Sequence, residues 1–274
     1  DTGLLAADEL AAARGEMSEA AYQQEFECSF TAAIRGAFWG QVLEEIESRG
    51  HMRPIEADSG QRIVTGWDLG TRDATAIWVM QPYLGNSWAA VDYYESSGAG
   101  VDHYVDWLGQ KGYLRGTAIH LAPHDVANSD WSAAAGRTRR EIAASLGLHF
   151  ERVPRAQNAS VVMEQINAVR MLLQRCYFHH ADDERGSRVY SGRLSLSLYR
   201  QDYNERLGAL KASPLHDRHS HAADAFRTFS QLPEGRLRGD QDAGRPVYVN
   251  VRAGARIRSA HGGRGFTLGP RTGS

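Results

Sequence analysis

Cysteine and lysine are nearly missing from this chain. Of 274 residues only Cys28 and Cys176 are cysteines, and neither has a CxxC partner. That excludes a disulfide framework and a cysteine-built zinc site. Both cysteines fall inside helix-like apolar patterns and read as buried thiols of a reducing compartment. Lysine is confined to Lys111 and Lys211. A Walker A loop needs Gly-Lys-Ser/Thr so that the ammonium reaches the β and γ phosphates, and neither lysine has that context, so the chain by itself is no P-loop ATPase. Long apolar runs are absent too. None approaches the roughly 18 residues that span a bilayer, and the start, Asp1-Thr-Gly-Leu-Leu, has no basic region leading into an apolar one. A soluble, intracellular protein with no membrane partner is expected.

Excess charge of one sign is also lacking. The net charge is -2, so binding of nucleic acid would have to come from a local basic surface rather than from the field of the whole molecule. Nearly all positive charge is arginine, which suits bidentate phosphate contacts; a GC-rich genome would give the same bias. With 42% hydrophobic residues, the chain can bury one large α/β core plus appendages.

The segment 1–58 reads as helical followed by a linker. Leu4–Ala13, Ser18–Phe30 and Ala32–Ser48 have helical spacing, and Met52–Gly60 carries Pro54 and polar residues. From residue 59 the pattern changes. Arg62–Asp68, Ala74–Gln81 and Trp88–Glu95 are three strand candidates separated by turn signals. Helix and strand then alternate: a helix over Val101–Tyr113, a strand over Thr117–Ala122, a helix over Thr138–Leu146 closed by Gly147, and a strand over His149–Val153. Ser160 caps a long helix reaching about Cys176, Leu194–Leu210 is helical, and Ser220–Gln231 suits a final helix. The acidic run Asp182-Asp183-Glu184 reads as a solvated loop. From residue 233 to 274 the chain is rich in Arg and Gly and reads as a mobile tail with one strand-like patch, Val247–Val251. A mixed central sheet with helices packed on its faces is the expected architecture for 59–232.

Three aspartates stand where strand and helix ends could bring them together. Asp68 ends the first strand in Gly66-Trp-Asp-Leu-Gly70, Asp125 follows the fourth strand in Leu121-Ala-Pro-His-Asp125, and Asp224 lies in the first turns of the last helix, Ser220-His-Ala-Ala-Asp-Ala-Phe-Arg227. Hydrolysis of a phosphodiester needs a deprotonated water and stabilised charge on the attacking and leaving oxygens. Two divalent cations do both, and Mg²⁺ or Mn²⁺ prefers hard oxygen ligands, so clustered carboxylates suit this chemistry. His221 shares a helical face with Asp224 and could orient a ligand or water. Asp217, before the helix, is a candidate cap or secondary metal contact, and Asp73 is a turn residue near enough to Asp68 to assist.

Taken in order and spacing, these motifs resemble the C-terminal nuclease domain of the large terminase subunit of tailed bacteriophages. The resemblance includes Asp73-Ala-Thr-Ala76, Trp131 and Gly136-Arg137, and Met17-Ser-Glu-Ala-Ala-Tyr-Gln-Gln-Glu-Phe26, similar to the stretch that closes the motor domain of such proteins. It implies an RNase H-like fold and a two-metal endonuclease, using Mg²⁺ or Mn²⁺, that cuts double-stranded concatemeric viral DNA during genome packaging in the host cytoplasm. By motif position Asp68, Asp125 and Asp224 inherit the metal-ligand roles, with His221 as a catalytic auxiliary and Asp217 as a further metal candidate. The portal protein and the small terminase subunit are the partners implied. The N-terminal ATPase motor of large terminases has no counterpart here, so translocation is not attributed to this chain. Asp68-Leu-Gly-Thr71 also resembles the first phosphate loop of actin-like and sugar-kinase ATPases, but their second phosphate loop and adenosine motif are not found. A noncatalytic DNA-binding or portal-docking module is a third reading.

Overall fold

The computed structural model describes residues 35–70, 73–127 and 137–233. The expected helices before residue 35, Cys28, the Trp131 to Gly136 motif residues and the Arg/Gly-rich tail lie outside the described residues. The described part contains helices α1 (Gly40–Ser48), α2 (Val101–Gln110), α3 (Arg139–Ser145), α4 (Ala159–Leu173), α5 (Glu184–Leu198) and α6 (Ser220–Ser230). Its strands are β1 (Met52–Arg53), β2 (Val64–Asp68), β3 (Ala74–Tyr83), β4 (Ser87–Ser97), β5 (Ile119–Ala122), β6 (Phe150–Arg152), β7 (Cys176–His179), β8 (Gln201–Asn204) and β9 (Ala209–Pro214).

Seven strands form one mixed sheet in the order β1-β7-β4-β3-β2-β5-β6, and β8 and β9 form a separate hairpin. β3 runs antiparallel to both β2 and β4, whereas β5 lies parallel to β2 and β6 parallel to β5. The central strand β3 is buried on both faces, which is why Ala74–Met80 reads as a continuous rather than alternating apolar run. Each face has its own core. On one, Trp39 just before α1, Leu43 and Ile46 of α1, Ile166 and Val169 of α4, Leu196 of α5, and Phe226 and Phe229 of α6 pack on Val64, Trp78, Met80, Trp88 and Phe178 of the sheet. On the other, Tyr104 and Leu108 of α2 and Ala143 of α3 pack on Trp67, Ile77, Val79, Val91 and Phe150. This is the expected mixed sheet with helices on both faces.

Two polar groups within these layers matter for stability. Asp92 of β4 is fully buried where β4 runs past the end of its pairing with β7. Arg188 of α5 grips it through Nε and Nη2 at 2.9 and 2.8 Å, and the Tyr113 hydroxyl donates to Oδ2 at 3.1 Å. His120 of β5 is also buried; its Nδ1 meets Thr65 Oγ1 at 2.8 Å, and Thr65 Oγ1 accepts from Trp67 Nε1 at 2.7 Å. Burial, reinforced by the charge of His149, lowers the His120 pKa to about 4.

Several elements differ from the sequence expectation. The helix expected over Ala32–Ser48 begins only at Gly40; before it Ala37 bridges Arg200. Met52–Arg53, expected as linker, is a short strand parallel to β7. Cys176 does not end a helix: α4 stops at Leu173, is capped by the Asn158 side chain rather than Ser160, and Cys176 opens β7. The acidic loop is instead a helix start, with the Asp183 side chain capping α5 by accepting from the Gly186 amide at 2.6 Å. The helix expected over Leu194–Leu210 ends at Leu198, and the chain turns into the β8–β9 hairpin, with Gly208 in the left-handed region.

Candidate active site

The strand directions create the site. β2, β5 and β6 are consecutive parallel neighbours, so their C-terminal ends lie side by side, the position at which open α/β sheets place ligand crevices. Asp68 is the last residue of β2, Asp125 sits in the 3₁₀ turn His124–Ala127 that follows β5, and Val153 to Ala156 follow β6. Helix α6 crosses over β2 on the face to which Asp68 belongs. Its approach depends on Gly66: a Cβ there would lie 2.5 Å from the Ala225 carbonyl oxygen and 2.6 Å from Phe229 Cβ. The small residues Ala222, Ala223 and Ala225 are fully buried at the same contact, and Trp78 Nε1 donates to the Ala222 carbonyl at 2.9 Å.

The result is a cleft of about 320 Å³ lined by Asp68, Asp125 and Asp224 together. His124, Arg155, Gln165, Arg227 and Gln231 supply most of its remaining polar lining. The chain thus brings its three candidate aspartates to one wall system although they are far apart in sequence. Asp224 Oδ1 and Asp125 Oδ1 are buried and have no hydrogen-bond partner among the described residues. Arg227 Nη1 lies 3.1 Å from Asp224 Oδ1 in α6 but outside hydrogen-bond geometry, and the Asp224 side chain is 26% exposed, toward the cleft. Burial pushes the Asp224 pKa up to about 6; Arg227 opposes the shift and the charge of Asp68 adds to it. A carboxylate in this position gains from a cation.

His221 stands behind the cleft. Its Nδ1 is 3.1 Å from Asp68 Oδ2, and that hydrogen bond raises the His221 pKa, against the effect of partial burial. The pair fixes the orientation of Asp68 from α6. Asp217 is not part of the cleft lining: its Oδ1 accepts from the His219 amide at 2.9 Å, its carbonyl from the Ser220 amide at 3.0 Å, and its Oδ2 faces Arg200 at 3.5 Å. It organises the entry into α6. Asp73 is an exposed bend residue.

The sequence reading missed part of the surroundings. Glu95 of β4 lies in one row with Asp68, because Asp68 pairs with Ala76 and Ala76 with Glu95 across β3. Tyr93 donates its hydroxyl to that carboxylate. Arg155 comes from the loop after β6, Gln165 from α4 and Gln231 from the residue that ends α6, none with a local signature, whereas Arg227 could have been found as the i+3 neighbour of Asp224.

Two features of the cleft suit a divalent ion of the Mg²⁺ type: carboxylates that are buried and an opening for water and phosphate. Among the described residues no group of three or more His, Cys, Asp or Glu side chains is close enough to hold a metal ion by itself, yet Mg²⁺-like ions characteristically take one or two carboxylates and leave the remaining positions to water and substrate phosphate. Two buried carboxylate oxygens without hydrogen-bond partners, in a cleft that also presents arginines, meet that description.

Solved structures share this architecture. The large terminase of a thermophilic bacteriophage in complex with ATP-γ-S is similar with a TM-score of 0.52 and 14% identity, over 82% of this chain and 52% of that one. The same phage's large terminase with ADP gives 0.50 and 16%, over the same shares. The chain shares the large-terminase fold. It spans about half the length of those relatives. The nuclease domain of the large terminase of bacteriophage SPP1 with bound Mn is similar at a TM-score of 0.45 and 15% identity, over 61% of this chain and 84% of that one. No family model and no curated protein matches the chain in sequence. No helix among the described residues is long and apolar enough to cross a membrane.

Proposed function

We propose that the chain is a metal-dependent endonuclease that cuts double-stranded DNA, and that it serves viral genome packaging as the nuclease part of a large terminase. The observation that carries the reading is the single cleft in which Asp68, Asp125 and Asp224 meet. In this reading Asp68, Asp125 and Asp224 hold Mg²⁺ or Mn²⁺. Bound there, the ions would activate water and stabilise charge on the attacking and leaving oxygens of the phosphodiester.

The remaining work falls to the chain itself. His221 holds the Asp68 carboxylate in place through its 3.1 Å contact. Arg155 and His124 line the cleft and present positive or hydrogen-bonding groups to a phosphate entering it. Gln165 and Gln231 offer neutral donors to the sugar-phosphate backbone. None of these residues forms a base-reading helix face, so the site selects backbone and helix form rather than sequence. Double-stranded DNA is the substrate in this reading, with the portal and small terminase subunits as the partners of the assembled machine and the host cytoplasm as its setting.

The test is cleavage of supercoiled plasmid. Cutting is expected with millimolar Mg²⁺ or Mn²⁺ and none with a chelator, and Asp68→Asn should abolish it while the circular-dichroism spectrum stays unchanged. Intact plasmid with either ion across pH 7 to 9 would remove the nuclease reading and favour a docking module.

A further inference from the structure

We infer that Arg227 is a built-in counterion of Asp224 that a divalent metal must displace, so that this residue sets the metal affinity of the site. The inference rests on the nuclease reading above and concerns how the same site is regulated by its own charge.

Three observations place Arg227 in this role. It stands one turn after Asp224 on α6, and its Nη1 lies 3.1 Å from Oδ1, the carboxylate oxygen that is buried and lacks a hydrogen-bond partner among the described residues. The contact is therefore one of charge, without the directed bond that would make it permanent. Arg227 also lines the cleft, so the guanidinium has somewhere to go. Its other contact is a long one, Nη1 to the Tyr199 hydroxyl at 3.5 Å, leaving Nε and Nη2 without a hydrogen bond among the described residues.

The physical consequence has a definite sign. With no metal bound, Arg227 offsets part of the cost of a charged carboxylate in a buried place, opposing the upward push on its pKa. When a divalent ion approaches, the guanidinium competes for the same oxygen and repels the ion. A residue that served only to hold α6 in shape would do neither, and its loss would weaken metal binding or leave it unchanged. Loss of Arg227 as a counterion should strengthen it.

Calorimetric titration of the full chain with Mn²⁺, without DNA, tests this. Arg227→Gln, which removes the charge and keeps a polar side chain, should bind Mn²⁺ more tightly than the parent by on the order of tenfold, the scale of a monovalent and a divalent charge at close range under water-like screening. Arg227→Lys keeps the charge and should stay within about threefold of the parent. Equal or weaker binding by Arg227→Gln would overturn the inference while leaving the metal site intact. So would a large change in Arg227→Lys, which decides the matter even if the glutamine variant fails to fold. If the parent chain itself binds no Mn²⁺, the nuclease reading falls and the inference with it.

Discussion

Replacing Gly66 by alanine should separate the two halves of the site without touching a catalytic side chain. The added Cβ would lie 2.5 Å from the Ala225 carbonyl oxygen, 2.6 Å from Phe229 Cβ and 2.8 Å from the Phe229 amide nitrogen. Two of these three are backbone atoms of α6, so no side-chain rotation relieves the overlap. Ordinary contacts begin about 1 Å further out, and the helix has to withdraw by roughly that amount. Overpacking of this kind costs about 1–3 kcal/mol, and a backbone clash belongs at the upper end. For a folded part of this size that is a fall in Tm of roughly 6–12 °C at about 3 kcal/mol. The same displacement moves Asp224 and His221, both on α6, away from Asp68. A misplacement of about 1 Å costs on the order of 100-fold in rate. Differential scanning calorimetry and plasmid cleavage, the latter assayed well below the lowered Tm, give the two readouts. A variant that melts and cuts like the parent would refute the claim that α6 is seated on Gly66.

Further outcomes follow from the same geometry. Asp224→Asn should lower cleavage by at least about 100-fold, the scale of losing an electrostatic group at a reacting centre, His221→Ala by about tenfold, and Asp217→Asn only a few-fold, because Asp217 leads into α6 and pairs with a partly exposed Arg200; rates with one plasmid substrate compare all three. Asp92→Ala should cost about 3 kcal/mol in urea denaturation, since it leaves Arg188 Nε and Nη2 without their acceptor while Glu184 still holds Nη1. His120 should withdraw stability as pH drops from about 6.5 toward 4, because the unfolded chain takes up a proton that the buried ring, with a folded pKa of about 4, refuses, a share of about 3 kcal/mol by the bottom of that window. The Asp224 carboxyl, raised to about 6, acts in the opposite sense over the same window, so the readout is the difference between parent and His120→Leu, whose urea midpoint should gain on the parent's as pH falls from 7 to 4.5.

Legibility of the fold followed the apolar pattern. β2, β3, β4, α2 and α6 bury a repeating set of large side chains, and their types could be read from spacing alone. The first ten residues of α5 could not, because their packing face is built partly from glycine: a Cβ at Gly192 would meet the Trp78 ring at 2.7 Å and one at Gly186 the Ala181 carbonyl at 2.1 Å. Small residues bury without raising hydrophobicity, so Glu184–Arg193 looks polar, and only the leucine-rich end from Leu194 was read as helical. β7 was hidden because its four residues follow α4 with no glycine or proline between them. No residue of the β8–β9 hairpin is buried, so it shows no inside-outside alternation to find. At the site, the three aspartates were legible because each lies at the end of an element. Their meeting in one cleft follows from strand order, which pairs β2 with β5 and β5 with β6. Arg155 and Gln165 owe their place to that order as well, and nothing in their neighbouring residues announces it.

The central claim is that the cleft holds divalent metal between Asp68, Asp125 and Asp224. Anomalous difference density from crystals of the chain soaked in Mn²⁺ tests it most directly. A peak bounded by those three carboxylates is expected, and it should be lost in crystals of Asp68→Asn. Full Mn²⁺ soaking with no peak in the cleft, or a peak only at the histidines around residues 216 to 219, would contradict it.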